Sequence, residues 1–315
     1  MPEDRSRPAP DTAASASTPA RRAFVRVMPG LFVLLWSTGF IGAKFGLPYV
    51  EPFTFLAVRF LLALVLLAPL AWAARAAWPK STAALGHQAV TGTLVHAVYL
   101  GGVFWAIDHG LSAGVAALIV GLQPLLTAVA VGPLLGERVS ARQWLGLVLG
   151  LTGVAMVVGE KLGFAGAAAG LAGLEPIALS GAVLALLGIT AGTLYQKRFG
   201  GSTDLRAATF VQYAAAAVVM GVASLALETG DIQWTGEFVF ALGWLTLVLS
   251  LGAISLLMTL IRLGEAARVA SLFYLVPPVT AVTAWALFGE TLGALALAGM
   301  AVAVVGVALV VARRG

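Results

Sequence analysis

Apolar residues dominate the chain in long runs, and short stretches of Gly, Pro or charged residues separate these runs. An α-helix needs about 20 consecutive apolar residues to cross the hydrocarbon core of a membrane. Ten runs meet this requirement, at approximately 28–47, 53–74, 85–107, 112–135, 140–159, 177–197, 206–227, 237–261, 267–288 and 292–312. The pattern therefore predicts an all-α integral membrane protein with ten transmembrane helices.

The second half of the chain repeats the pattern of the first half. Gln123-Pro124, Ala128, Gly136-Glu137 and Gly153 are followed later by Pro277, Ala281, Gly289-Glu290 and Gly306. The paired residues are 153 positions apart, as 277 − 124 and 306 − 153 show. Each half holds five predicted spans, and because five is odd the second half enters the membrane with the opposite orientation. Inverted repeats of this kind are typical of secondary transporters.

Charge placement predicts the orientation of the spans. Lys and Arg concentrate in the loops on one side, which are cytoplasmic by the positive-inside rule. The opposite loops carry mainly acidic residues, among them Glu51, Asp108 and Asp231. Residues 1–27 are rich in Pro, Ala, Ser, Thr and Arg and are predicted to form a disordered cytoplasmic tail. We therefore expect a multi-pass inner-membrane protein with both termini cytoplasmic and five-helix repeats at 28–159 and 177–312.

Composition narrows the function classes. Hydrophobic residues make up 60% of the chain and charged residues 10%, whereas roughly a quarter of the residues of a soluble domain are charged. The chain has no Cys, and its three His form no pair at metal-binding helical spacing. No metal or cofactor is predicted, and an intramembrane enzyme would lack its nucleophile or metal cluster. The net charge of +5 belongs to cytoplasmic loops, so we expect lipid and a small molecule, and no nucleic acid, as partners.

Two basic residues are predicted to lie inside spans. Placing an Arg at a helix centre costs about 2.5–3.5 kcal/mol on insertion scales, so Arg59 in the second span needs a reason. It either reaches polar groups of a neighbouring helix or faces a hydrated cavity and meets an anionic group. Lys44 shares a helical stripe with Trp36 and Phe40, and it either extends to the interface or lines the same cavity.

Aromatic and polar residues add further candidates for the cavity lining. Tyr99, Tyr274 and His96 lie near the middle of their predicted spans. Trp and Tyr in membrane proteins often mark the interface, and a single His is more often a packing residue than a proton carrier. Gln123 precedes Pro124 inside the fourth span and completes this set.

Prolines and glycines suggest where helices bend and pack. Pro124 in the fourth span and Pro277 with Pro278 in the ninth remove helix hydrogen bonds. Interruptions at matching places in two repeats point to a substrate site between the repeats. Gly146 and Gly150 form a small-residue face that serves either internal packing or a homodimer.

The motifs resemble those of the EamA-type drug/metabolite transporter superfamily. The resemblance rests on Trp36-Ser-Thr-Gly-Phe40 with Lys44, on Arg59, and on the Pro-x-x-x-Ala and Gly-Glu pattern that closes each half. It implies ten helices around a central cavity and the export or exchange of amino acids, other metabolites or drugs by alternating access. The alternatives are multidrug efflux and, in other classes, an intramembrane enzyme or a membrane sensor.

Overall fold

The structure is a computed structural model that describes residues 19–111, 119–162, 176–201, 203–263, 266–276 and 293–311, with 116, 278, 279, 282 and 283. The longer helical segments with both ends in this part of the chain are α1 Pro19–Gly46, α2 Pro52–Ala73, α3 Thr82–Asp108, α4 Gln123–Leu135, α5 Ala141–Leu162, α6 Pro176–Phe199, α7 Leu205–Leu227, α8 Gly236–Leu263, α9 Ala266–Ser271 and α10 Ala294–Val311. Two short 3-10 helices, Leu47–Tyr49 and Leu272–Leu275, lie between them. Apart from a one-residue bridge between Val50 and Ile232, this part of the chain contains helices and turns.

Six of these helices, α1, α2, α3, α6, α7 and α8, are long and apolar enough to cross a membrane. Their bounds follow the predicted spans closely, except that α1 begins at Pro19, inside the predicted tail. The predicted spans 112–135, 140–159, 267–288 and 292–312 correspond to α4, α5, α9 and α10. The backbone of 140–159 is described throughout, and the other three spans are described only in part. The protein is therefore an all-helical membrane protein with several spans.

Helices α2 and α7 run antiparallel, and carboxylates bind them together at one end. The Glu228 carboxylate, just after α7, accepts hydrogen bonds from the first-turn amides of Phe53 at 2.7 Å and Thr54 at 2.6 Å. The Glu51 carboxylate, just before α2, accepts from the amide and hydroxyl of Thr229, both at 2.8 Å. The Thr229 hydroxyl lowers the pKa of the Glu51 carboxyl. We call this the Glu51 end of the bundle.

The opposite end of the same helix pair carries a related contact. Asp204 caps the start of α7, where its carboxylate accepts from the Arg206 side chain at 2.7 Å. The backbone of Ala77, which follows α2, also lies close to this carboxylate. The Arg206 hydrogen bond lowers the pKa of Asp204 to about 2. Because Glu51 and Asp204 are 153 residues apart, the two contacts occupy equivalent places in the two repeats.

The glycine face of α5 packs inside the molecule. A methyl group on Gly153 would lie 2.5 Å from the Gly299 carbonyl oxygen and the Ala303 amide, and one on Gly146 would lie 2.5 Å from the Gly306 carbonyl oxygen. Only glycine allows the α5 and α10 backbones to approach this closely. Of the two interpretations of this face, the structure supports internal packing between the last helices of the two repeats.

The helices depart from α geometry at matching places. Thr93–Val98 of α3 and Leu245–Ala253 of α8 are π-helical, and a shift of 153 superposes the first segment on the second. Such segments are rare and are frequently found at functional sites. The apolar pattern of the sequence does not predict them. Tyr99 directly follows the first segment, and Leu249 and Ser250 lie in the second.

Breaks also occur near the prolines, though not as internal kinks. The chain turns at Gly121 and Leu122, and α4 begins at Gln123, so Pro124 lies in the first helical turn. An amide there has no partner within the helix, so proline is well tolerated. Our prediction that Pro124 bends the interior of a helix is therefore replaced by a break just before it. In the second half a 3-10 turn at Leu272–Leu275 occupies the equivalent place.

Candidate functional site

Arg59 is the most unusual side chain in the described part of the bundle. It is the eighth residue of α2 and is only 3% exposed. Its Nε donates a hydrogen bond of 2.9 Å to the Ser250 hydroxyl on the π-helical segment of α8, and its guanidinium carbon lies 6.0 Å from the centre of the Phe60 ring. Arg59 therefore does not extend to the membrane surface.

Within the described residues, no carboxylate pairs with Arg59. The ionisable side chains that act on the Arg59 guanidinium are those of Tyr99 and Tyr213, and neither is a carboxylate. A charge removed from water without an opposite charge loses several kcal/mol of solvation. A single hydroxyl acceptor offsets only part of this loss, so the guanidinium is positioned to receive an anion.

An aromatic wall lies beside Arg59. Trp36 of α1 and Tyr99 of α3 stack almost parallel, with ring centres 6.2 Å apart and an interplanar angle of 9°. Phe273 meets the Trp36 ring edge-on at 5.4 Å. Both Trp36 and Tyr99 are buried. Two helices of the first repeat and the 3-10 turn of the second thus supply large, rigid side chains to one place.

Trp36, Tyr99 and Arg59 share a cavity whose other walls are apolar. The lining residues are Trp36, Gly39, Ala43, Arg59, Tyr99, Leu100, Val103, Phe104, Leu249 and Ile254. The cavity has a volume of about 40 Å³, which is room for roughly three water molecules. Any ligand larger than these waters could enter only if the surrounding helices moved apart. One cation and an aromatic wall favour a ligand with an anionic group and an apolar part.

The other predicted lining residues lie elsewhere or outside the described part. The side chains of Phe40 and Lys44 and the whole of Pro277 are outside the described residues. Gln123 is buried and donates to the Thr193 hydroxyl at 3.4 Å. Tyr274 is fully buried, and its ring lies against Gly150.

Pro278 is also buried, and it follows the 3-10 turn Leu272–Leu275. It does not belong to the cavity lining, and neither do Gln123, Pro124 and Tyr274. The structure thus brings together three of the predicted residues, Trp36, Arg59 and Tyr99, and separates the others that it describes.

His96 also lies outside this lining. Its ring is fully buried and stacks on Tyr213 of α7, with ring centres 4.5 Å apart. Neither ring nitrogen has a hydrogen-bond partner among the described residues. The Gln212 side chain lies beside the ring but does not reach it with hydrogen-bond geometry.

Sequence reasoning missed the residues that position Arg59. Ser250 accepts from Arg59 through its hydroxyl, and its backbone carbonyl accepts from the Tyr213 hydroxyl at 2.8 Å. A serine and a tyrosine inside apolar runs look like packing residues. The repeat offset was the one available signal, because it pairs Tyr213 with Phe60, the neighbour of Arg59.

Comparison with known proteins identifies the family. The sequence profile of the EamA-like transporter family matches residues 30–159 and 176–312, once for each repeat. The chain belongs to the EamA-like transporter family. This EamA-like protein is therefore a membrane transporter of the drug/metabolite type.

Several relatives of this EamA-like transporter cover nearly its whole length. It is 29% identical to the uncharacterized transporter YvbV of Bacillus subtilis over 88% of each chain. It is 28% identical to the uncharacterized inner membrane transporter YedA of Escherichia coli over 92% of each. It is also 28% identical to a probable amino-acid metabolite efflux pump of Salmonella typhimurium, over 85% of this chain and 88% of that one.

A solved crystal structure shares the fold of this EamA-like transporter. The TM-score is 0.72 at 17% sequence identity, and the match covers 90% of this chain and 96% of the other. At this identity the likeness concerns the fold alone.

Proposed function

We propose that this EamA-like protein is a secondary transporter that exports small metabolites carrying a carboxylate, with amino acids as the substrate class. The observation that carries the proposal is Arg59, buried without a carboxylate partner among the described residues and beside an aromatic, otherwise apolar cavity. Arg binds a carboxylate bidentately, and each bond is charge-assisted. The relative named as a probable amino-acid metabolite efflux pump supports the same class.

The proposed mechanism is alternating access between two inverted repeats. Ten spans with both termini cytoplasmic place the Glu51 end outside and the Asp204 end inside. The cavity draws walls from both repeats, since Trp36 and Arg59 precede the repeat boundary and Leu249 follows it. Movement of one repeat against the other would open this space alternately to each side, and no chemical step is required.

Multidrug efflux is the second candidate, because most of the cavity lining is apolar or aromatic. Many drugs of this kind are cations. A buried guanidinium repels a cation in a low-dielectric site, so Arg59 favours the anionic or zwitterionic class.

Competition in proteoliposomes separates the two candidates. The probe is L-leucine, which combines a carboxylate with an apolar side chain, and the competitors are L-norleucine, L-leucinamide and a lipophilic cation. The proposal expects strong competition by L-norleucine and at least tenfold weaker competition by L-leucinamide, since the amide lacks the anion. Equal competition by L-norleucine and the cation would favour the drug class.

A further inference from the structure

A second polar cluster lies in the apolar interior, towards the Asp204 end. The Gln212 amide of α7 donates to the Gln88 side-chain oxygen at 2.8 Å and to that of Gln196 at 3.3 Å. Gln88 in turn donates to the Gly200 carbonyl at 3.2 Å. The three glutamines are at most 2% exposed. With His96 they join α3, α6 and α7, and we call these four side chains the glutamine pocket.

The repeat offset relates this pocket to the Arg59 cavity. Three members of the pocket lie 153 residues from three residues that line the cavity. The pairs are Arg59 with Gln212, Ala43 with Gln196, and Leu249 with His96. The His96 and Leu249 positions both lie on the π-helical segments. The glutamine pocket is therefore the counterpart of the cavity under exchange of the two repeats, with polar side chains at the positions where the cavity has Ala43 and Leu249.

An aromatic layer separates the two sites. Phe60 and Tyr213, themselves 153 residues apart, lie with ring centres 5.5 Å from each other, and the His96 ring stacks on Tyr213. Arg59 is the eighth residue of α2, and Gln212 is the eighth residue of α7, which runs antiparallel to α2. At 1.5 Å per residue their levels along the helix pair differ by about 10 Å. The sites thus follow one another along the axis of the α2–α7 pair.

Several polar atoms of the pocket have no hydrogen-bond partner within the described residues. They are both ring nitrogens of His96, the side-chain oxygen of Gln212 and the side-chain nitrogen of Gln196. Leaving such atoms unpaired in an apolar interior destabilises the fold. The set offers both donors and acceptors and carries no fixed charge. A group that itself both donates and accepts would satisfy it.

We propose that the glutamine pocket is a second substrate station, which holds the ammonium and carboxylate groups of an amino acid between the cytoplasm and the Arg59 cavity. This proposal rests on the proposed function. Gln212 and His96 accept from the ammonium group, and Gln196 donates to the carboxylate. Neutral partners bind a zwitterion less tightly than Arg59 binds a carboxylate, which lets the substrate move on.

Proton binding by His96 is the less favoured use of the same pocket. The Arg59 guanidinium and the His96 ring lie 6.0 Å and 6.2 Å from the centre of the same Phe60 ring. The ionisable side chain in direct contact with the His96 ring is Tyr213 on α7, and Tyr99 lies three residues further along the same helix as His96. No described carboxylate pairs with this group, so an imidazolium would be repelled by Arg59 without compensation.

The experiment measures KM for L-leucine separately at the two faces, in everted and right-side-out vesicles. Gln212→Leu and Gln196→Leu are compared with Gln233→Leu, a matched control in an exposed loop. Each pocket variant removes hydrogen bonds to the zwitterion, so KM at the Asp204 face should rise about tenfold. KM at the Glu51 face, and both values in the control, should stay unchanged.

Two results in a variant that folds would overturn the proposed second substrate station. One is an unchanged KM at both faces, and the other is an equal rise in KM at both faces. Arg59→Lys is expected to weaken L-leucine binding from both faces. This variant therefore tests the proposed function separately from the second substrate station. His96→Asn adds a last distinction. If it abolishes proton movement accompanying L-leucine while KM stays at the wild-type value, the pocket is a proton site and the station is wrong.

Discussion

Removing the Glu228 carboxylate should loosen the Glu51 end of the α2–α7 pair. This side chain accepts from the Phe53 and Thr54 amides and from the Thr54 hydroxyl at 2.7 Å. It therefore caps α2 from the other repeat. Glu228→Ala leaves two first-turn amides of α2 without that acceptor and removes a negative charge from the positive end of a helix.

The size of the loss follows from these contacts. Losing a side-chain cap costs about 0.5–2 kcal/mol, and the helix-dipole interaction contributes about 0.3–1 kcal/mol. The Thr54 hydroxyl keeps a partner, because it also lies 2.6 Å from the Ser224 hydroxyl, and water reaches this end of the helix. We therefore expect about 1–2 kcal/mol, which corresponds to a fall in Tm of about 2–4 °C for a chain of this size.

The assay is thermal unfolding of the purified protein in detergent. Asp231→Ala is the matched control, since Asp231 is an exposed acidic residue of the same loop. Glu228→Gln, which keeps one acceptor oxygen and loses the charge, should fall between Glu228→Ala and the wild type. If Glu228→Ala unfolds at the same temperature as Asp231→Ala, the carboxylate does not hold the two helices together.

Three further predictions concern Glu51, Gly153 and Asp231. The pKa of the Glu51 carboxyl is lowered in the folded state. Glu51 therefore stabilises the folded protein above the ordinary carboxyl pKa, and this stabilisation is lost as the pH falls through the lowered pKa. Glu51→Gln should reduce the fall in Tm that the wild type shows at acid pH. Gly153→Leu should reduce folded yield by forcing α5 from α10, at about 1–3 kcal/mol or more. The control Gly30→Leu has open space around the added side chain and should leave yield unchanged. A cysteine in place of Asp231 in this Cys-free chain should react with an impermeant thiol reagent from outside; labelling only from the cytoplasm would contradict the ten-span topology.

Much of the fold was predictable because it follows from burial and repetition. Apolar length placed α2, α6 and α7 within a residue or two of their observed bounds. The offset of 153 residues located equivalent positions without any structural information. A charge at mid-span identified Arg59, since the membrane makes such a residue costly.

The remaining parts depend on contacts that one helix cannot reveal. A π-helical segment has no clear residue preference, so Thr93–Val98 reads as ordinary helix until its neighbours are known. Gln88, Gln196 and Gln212 come from three helices and look like isolated polar residues in the sequence. Tyr274 has the depth expected of a cavity residue but turns towards Gly150, because helix rotation is set by packing.

The central claim is that Arg59 binds the carboxylate of the substrate. It is tested most directly by measuring L-leucine flux per folded molecule, together with detergent-extracted folded yield, for Arg59→Lys and Arg59→Leu. The account predicts that Arg59→Leu folds at least as well as the wild type and loses transport, and that Arg59→Lys retains weakened transport. Poor yield of Arg59→Leu with wild-type flux per folded molecule would contradict it and make Arg59 a structural residue that binds Ser250.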